Sequence, residues 1–305
     1  MTRGVPVFVL ALVLLAPPSL PAQSGQAGAP VADPPITCGA CDEWNAPRQP
    51  FKVFGNTYFV GSAGLSSVLI TSDQGHILID VALPQSVPVI DANIRALGFK
   101  TSDIRLILTS HGHFDHLGGV RAMQRFTGAT VGASTRTAEA LALGHATPDD
   151  PQYGGPSADT FPAVTTGVRV VQDGETVKAG PLAITARYTP GHTPGATTWT
   201  WQSCEGARCL SIAYVDSLTA VSNPGFRFTG DGTRPSIVDS FRRSLDTVRA
   251  LPCDVLLTTH PSASGMDEKL KHRTAEPLVD AGACRALAES SLAALEARIG
   301  QEQPR

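Results

Sequence analysis

Apolar and polar positions alternate in short blocks along most of the chain, and the period of the blocks changes from place to place. FKVF (51–54) and YFVGS (58–62) flank Gly55-Asn56, a pair suited to a tight turn, which predicts a hairpin. SSVLITS and HILIDV follow as two further strands, separated by Asp73-Gln74-Gly75. The period then lengthens: Val87, Ile90, Ile94 and Leu97 share one helical face, and Gly98 is placed to end that helix. Ile104 to Leu108 is a short apolar run, 118–127 reads as a helix, and ATVGA (129–133) returns to strand.

Residues 144–166 carry Pro, Gly and Asp with no apolar period, and a loop this long inside a compact domain usually serves function. Later strands are predicted around VRVV, LAITARY, ATTWTW, LSIAYV and DVLLTT. Ser236 and Asp239 form a Ser-x-x-Asp start to a helix whose Ile237, Phe241, Leu245 and Val248 share a face. An Ala-rich terminal helix follows Gly282, with Leu287, Ser291, Leu295 and Ile299 on one stripe that reads as core contact. Strands in both halves with helices between them predict an α/β protein whose sheets are covered by helices.

With 305 residues, 42% of them hydrophobic, the chain can bury one large core or two small ones. A net charge of −3, from 24 Lys and Arg against 27 Asp and Glu, gives no basic face and argues against nucleic acid as a partner. At the N-terminus Arg3 precedes an apolar run from Val5 to Ala16, which Pro17, Pro18 and Ser19 break before Pro21-Ala22-Gln23. The run is well short of the ~20 apolar residues a membrane span needs, so 1–22 reads as a secretory signal peptide, leaving no membrane attachment after cleavage. Residues 23–45 follow as a lead-in, of which 23–37 are expected to lack structure. The main domain is expected over 46–299, with 300–305 as a tail.

Six cysteines in an exported chain suggest disulfides, with fifteen connectivities possible in principle. Sequence proximity favours Cys204 with Cys209 at a hairpin tip; Cys253 with Cys284 would staple the start of a late strand to the last helix. Cys38 and Cys41 pair together or form a redox C-x-x-C, although that motif lies outside any strand–helix context.

The chemistry concentrates in HGHFDH (111–116), which holds three of the eight histidines beside one carboxylate. His111 and His113 are two apart, so in an extended segment both rings point the same way. Asp115 and His116 lie where the chain turns into a helix and can face the same cavity. Imidazoles and a carboxylate suit a borderline divalent ion such as zinc. A solvated surface turn or a cluster of hydrogen-bonded core histidines are the bland readings, and four potential ligands in six residues argue against both. Of the other histidines, His192 (in TPGHTPG) and His260 (in LLTTHP) fall at strand ends, where α/β proteins keep their chemistry. His76, His145 and His272 read as structural or surface residues.

H-x-H-x-D-H at 111–116, Gly-His at 191–192 and a strand-end His260 together resemble the metallo-β-lactamase superfamily over roughly residues 45–295. The resemblance implies an αββα sandwich with metals in the groove at the sheet edges. His111 is present and Ser217 stands where another subclass carries a cysteine ligand, a combination similar to subclass B3. CDEWNAPRQPF, FGNTYFVGSAG and DSLTAVS extend that similarity. By resemblance, His111, His113 and His192 would hold one zinc ion, and Asp115, His116 and His260 a second. The reaction implied is hydrolysis of a β-lactam ring (penicillin, cephalosporin or carbapenem) by a zinc-activated hydroxide, giving antibiotic resistance from a monomer in the periplasm.

Asp115 would act both as ligand and as the catalytic group orienting the nucleophile, and no G-x-S-x-G or Ser-x-x-Lys motif offers a serine mechanism. Ser217 and Thr219 are expected to bind the substrate carboxylate, with strand-end capping as the alternative. Gln152 is a further candidate substrate contact. Phe226 lies near the position where many relatives carry a tyrosine, and it cannot donate a hydrogen bond. Asp80 is expected behind the metal site as an acceptor for a ligand histidine. Two other readings stay open. One is a thioesterase or lactonase of the same fold, with Asp216 bridging both metals; the other is an exported zinc-binding protein without turnover.

Overall fold

The computed structural model describes Met1 and residues 28–154, 160–272 and 276–303, so the expected signal peptide over 1–22 lies, apart from Met1, outside the described residues. Twelve strands form two sheets. The first takes β1 (Phe51–Phe54), β2 (Thr57–Phe59), β3 (Val68–Ile70), β4 (His76–Ile79), β5 (Ile104–Leu108), β6 (Thr130–Ala133) and β7 (Val168–Val170), in that order. The second takes β8 (Thr176–Ala179), β9 (Leu182–Tyr188), β10 (Thr197–Glu205), β11 (Arg208–Val215) and β12 (Val255–Thr258), also laid out in sequence order. The helices are α1 (Cys41–Trp44), α2 (Val87–Ala96), α3 (Phe114–Leu117), α4 (Val120–Thr127), α5 (Thr135–Leu143), α6 (Val238–Arg249), α7 (Met266–Lys271) and α8 (Ala283–Glu302).

Side-chain alternation builds the layers. In β4, Ile77 and Ile79 point between the sheets, towards Trp199, Ile212, Tyr214 and Leu257, while Leu78 points the other way into the α2 and α4 face. In β11, Ile212 and Tyr214 face the other sheet, while Ala213 and Val215 pack on Phe241, Leu245 and Leu295 of α6 and α8. Three apolar layers thus separate helix, sheet, sheet and helix, the αββα sandwich expected from the sequence. Every residue of β4 and of β12 is buried, as strands covered on both faces must be.

Local chemistry sets the boundaries. Gly55 turns the first hairpin at φ 55°, and Gly98 ends α2 at φ 86°, with the Phe99 N–H donating to Ile94 at 3.2 Å. The Ser236–Asp239 capping box does not form. Helix α6 begins at Val238, Ile237 occupies the cap without a side-chain bond, and the Ser236 hydroxyl instead accepts from the Val238 N–H two residues on. The described part of the lead-in also differs from expectation. Residues 31–36 have no secondary structure but are pinned to the domain: Arg125 donates to the Val31 carbonyl and to Asp33, and the Gln85 amide exchanges two hydrogen bonds with Ile36. The six cysteines pair as Cys38–Cys41, Cys204–Cys209 and Cys253–Cys284.

The topology matters for the site. Strands β4 and β5 run parallel, as do β11 and β12, so their C-terminal ends gather at one edge of the sandwich. Asp80 follows β4, His111 follows β5, Asp216 and Ser217 follow β11, and His260 follows β12. The β9–β10 connection brings His192 to the same edge.

Candidate metal centre

Five histidines and Asp115 meet at that edge. His111, His113 and His192 each place one ring nitrogen within 4.8 Å of the others, and His111, Asp115 and His116 form a second such group. His260 joins through Nε2, which lies 3.3 Å from Asp115 Oδ2, and His116 Nε2 lies 3.3 Å from the same oxygen. All are buried except His260, which is partly exposed at the groove. The other histidines stay apart: His76 packs against Phe99 inside β4, His145 bridges to Thr160, and His272 is exposed at the end of α7.

Each ring has one nitrogen turned outward towards an acceptor, and four of the five are within hydrogen-bond geometry. His111 Nδ1 meets Asp216 Oδ1 at 2.6 Å, His113 Nε2 meets Asp150 Oδ1 at 3.1 Å, and His192 Nδ1 meets the Thr219 carbonyl at 3.0 Å. His260 Nδ1 meets the Gly64 carbonyl at 3.1 Å, and His116 Nδ1 lies 3.5 Å from Asp80 Oδ2. An outward N–H fixes the tautomer, leaving the inward nitrogen with a lone pair for a cation.

The residues present fit a metal. His111 Nε2 and His113 Nδ1 face each other at 3.1 Å, and the contacts of His116 to Asp115 and Asp80 lack hydrogen-bond geometry, so both its buried nitrogens are without a partner among the described residues. Buried polar atoms of this kind call for an ion or another group. A donor set of imidazoles with one carboxylate is that of zinc sites.

The electrostatics follow from burial and proximity. Burial and the neighbouring rings push His111 well below the usual imidazole range, and burial takes His192 down to about 3. Burial opposes charge on His116 as well, yet Asp115 and then Asp80 raise it to about 10. His116 and His260 hold Asp115 well below the usual carboxylate range against its own burial. Asp216, sealed behind His111, is pushed well above that range by burial.

A groove of about 380 Å³ opens over the centre, walled by Trp44, Gln152, Ser217, Thr219, Val221 and His260. Ser217 bonds Thr259 at 2.8 Å, and the Thr219 hydroxyl approaches His192 Nδ1 at 3.0 Å. The Gln152 side-chain nitrogen stands 3.4 Å from His192 Nε2. Phe226 lines a neighbouring cavity of about 470 Å³ instead. A larger cavity of about 740 Å³, bordered by Thr185, Thr200 and Gln202 of the second sheet, holds none of these histidines.

Asp80 lies beside His116, with Oδ2 3.5 Å from its Nδ1. It adopts φ 55° and accepts from the Ser110 N–H, the Ser110 hydroxyl and the Tyr214 hydroxyl at 2.8, 2.6 and 2.8 Å. Such a left-handed non-glycine residue is held only by a surrounding that over-determines it. Asp216 sets Oδ1 on the outward nitrogen of His111, while its buried Oδ2 has no partner among the described residues. Two contributors went unnoticed in the sequence, Asp150 and Trp44. The acidic pair in DDPQ and the tryptophan in CDEW were the only local signals for them.

The fold and this centre define a metal-dependent hydrolase scaffold, and the comparisons agree. The family model of the metallo-beta-lactamase superfamily matches residues 63–260, and the chain belongs to that superfamily. Among solved structures, the chain is similar to Rm3 metallo-β-lactamase, with 48% identity and a TM-score of 0.84 over 88% of this chain and 100% of that one. It is also similar to MEM-A1, a subclass B3 metallo-β-lactamase from a soil metagenome library, with 45% identity and a TM-score of 0.81 over 85% of this chain and 98% of that one. A hydroxyacylglutathione hydrolase of Anaeromyxobacter dehalogenans (strain 2CP-C) is 36% identical over 98 residues, which are 32% of this chain and 29% of that relative.

Proposed function

We propose that the protein is a subclass B3 metallo-β-lactamase that binds two zinc ions and opens the ring of penicillins, cephalosporins or carbapenems. The observation carrying this reading is the convergence of six metal-binding side chains beneath a groove rimmed by the hydroxyls of Ser217 and Thr219.

In this reading His111 Nε2, His113 Nδ1 and His192 Nε2 hold one ion, and Asp115, His116 Nε2 and His260 Nε2 hold the other. Zinc supplies Lewis acidity, polarising a carbonyl and acidifying water near neutrality. The protein's own groups do the rest. Asp115 accepts a hydrogen bond from the attacking water and directs it at the lactam carbonyl. Ser217 and Thr219 donate to the carboxylate that bicyclic β-lactams carry. Gln152, on the groove wall, contacts the substrate or its leaving side. Asp80, 3.5 Å behind His116 Nδ1, supplies a negative charge that favours the inward nitrogen facing the centre. Phe226, in the adjoining cavity, donates nothing to the reaction.

The reading includes a periplasmic monomer. The signal-like pattern of 1–22 supports export, as do three disulfides, which form in oxidising compartments. No helix among the described residues is long and apolar enough to cross a membrane.

The stretch similar to hydroxyacylglutathione hydrolase favours a thioesterase as the second reading. Against it stands Asp216, whose Oδ1 is taken up by the outward nitrogen of His111. Turnover of a carbapenem by the mature protein, beside a thioester and a lactone and with or without chelator, tests both. Carbapenem loss abolished by chelation and restored by zinc is expected. Chelator-sensitive cleavage of the thioester or lactone alone would transfer the site to the second reading.

A further inference from the structure

Of the five outward acceptors, Asp150 alone belongs to the long loop that walls the groove. Its side chain is only 2% exposed. One oxygen, Oδ1, contacts His113 Nε2 at 3.1 Å and also accepts from the Gln152 N–H at 2.8 Å. Two residues on, the Gln152 amide lies 3.4 Å from His192 Nε2. The segment therefore touches two of the three rings that share the first ion's position. It is anchored from the far side by Asn223, whose N–H donates to Pro151 and whose amide donates to the carbonyls of Gln152 and Tyr153.

We infer that Asp150 is a positioning residue which couples this loop to the metal centre, so that zinc held by His111, His113 and His192 orders the groove wall and the wall in turn tightens zinc. The inference rests on the reading of His113 as a ligand. Its physical basis is that a carboxylate on the outward N–H of a ligand imidazole fixes the tautomer, aims the inward lone pair and raises ring basicity. Because the same oxygen fixes the Gln152 backbone, ring and loop cannot move independently. Coupling of this kind is reciprocal.

Asp150 also makes an Asx turn with Gln152, a local role that needs no metal. Asp150→Asn separates the two roles, since an asparagine carbonyl makes the same turn but brings no charge to His113. Competition with a chromogenic chelator is expected to show two zinc ions in the wild type. In Asp150→Asn the affinity of one ion should fall about tenfold, the lower end of the range for loss of a partner behind a ligand. Asp149→Asn, on the same loop but paired at the surface with Arg136, should match the wild type. Equal affinity in wild type and Asp150→Asn would overturn the inference, as would equal weakening in both variants. No zinc binding by the wild type would instead sink the reading of the site. Should Asp150→Asn fail to fold, hydrogen exchange on the wild type decides. Zinc is expected to slow the Gln152 and Tyr153 amides, and unchanged rates would overturn the coupling.

Discussion

His111 and Asp216 are 105 positions apart in the chain, yet Nδ1 and Oδ1 stand 2.6 Å from each other with both side chains closed to solvent. The contact joins the ends of β5 and β11, and therefore the two sheets, at the point where the metal site forms.

Asp216→Ala should strip His111 of its charged outer acceptor and leave Nδ1 only the Ser110 hydroxyl at 3.3 Å. A loss of ~1–3 kcal/mol in stability is expected for the weakened pairing and, on the proposed function, zinc affinity should fall about 10- to 100-fold. Urea unfolding and chelator competition measure the two effects. Wild-type zinc affinity in the variant would count against this role.

Gly191→Ala tests the ring next door. A Cβ at Gly191 would come within 2.3 Å of the Phe241 ring, so either the His192 turn or α6 must give way. Overpacking of this kind costs ~1–3 kcal/mol. The thermal midpoint is expected to fall and, on the proposed function, one zinc ion should bind more weakly because His192 moves with its neighbour.

Ser217→Ala removes a rim hydroxyl whose only protein partner here is Thr259. On the proposed function, KM for a carbapenem should rise about tenfold while kcat changes little, as for a lost bond to a charged group that is equally strong in ground and transition states. A kcat loss with unchanged KM would place Ser217 elsewhere in the reaction.

The disulfides should differ in weight. Cys253–Cys284 closes a separation of 31 residues and Cys204–Cys209 one of 5. In the loop-entropy picture these correspond to about 4 and about 2 kcal/mol. Paired Cys→Ala variants compared by denaturant midpoint should keep that order.

His76 gives a pH dependence outside the metal site. Burial holds its imidazole below the ordinary value of 6.5. The folded state therefore binds this proton less readily than the unfolded one, and the stability it contributes is present above about 6.5 and lost as pH falls below that value. With both proteins free of metal, the urea midpoint of the wild type should drop more steeply between pH 7 and 5 than that of His76→Leu. Parallel slopes would exclude His76 as the source.

Much of this protein was legible in the chain itself, because the relevant physics is local. Short apolar runs such as HILID and LSIAYV become strands that bury successive side chains on opposite faces, the stripe of Val87, Ile90 and Ile94 becomes a covered helix face, and the histidines of 111–116 stay together because no fold can separate neighbours. Hairpin-tip cysteines five apart pair for the same reason. The Ser236–Asp239 cap misled, since Ile237 and Phe228 are joined by a backbone bond that fixes where α6 starts.

What only the tertiary structure decided is which distant residues meet. Parallel pairing of β4 with β5 and of β11 with β12 carries Asp80, Asp216 and His260 to the histidine cluster. A loop without any apolar period turns Asp150 inward beneath His113. These acceptors leave almost no pattern in sequence, because one carboxylate reads alike whether it faces water or a ligand's far nitrogen. Only long-range packing, by excluding water around it, makes the difference.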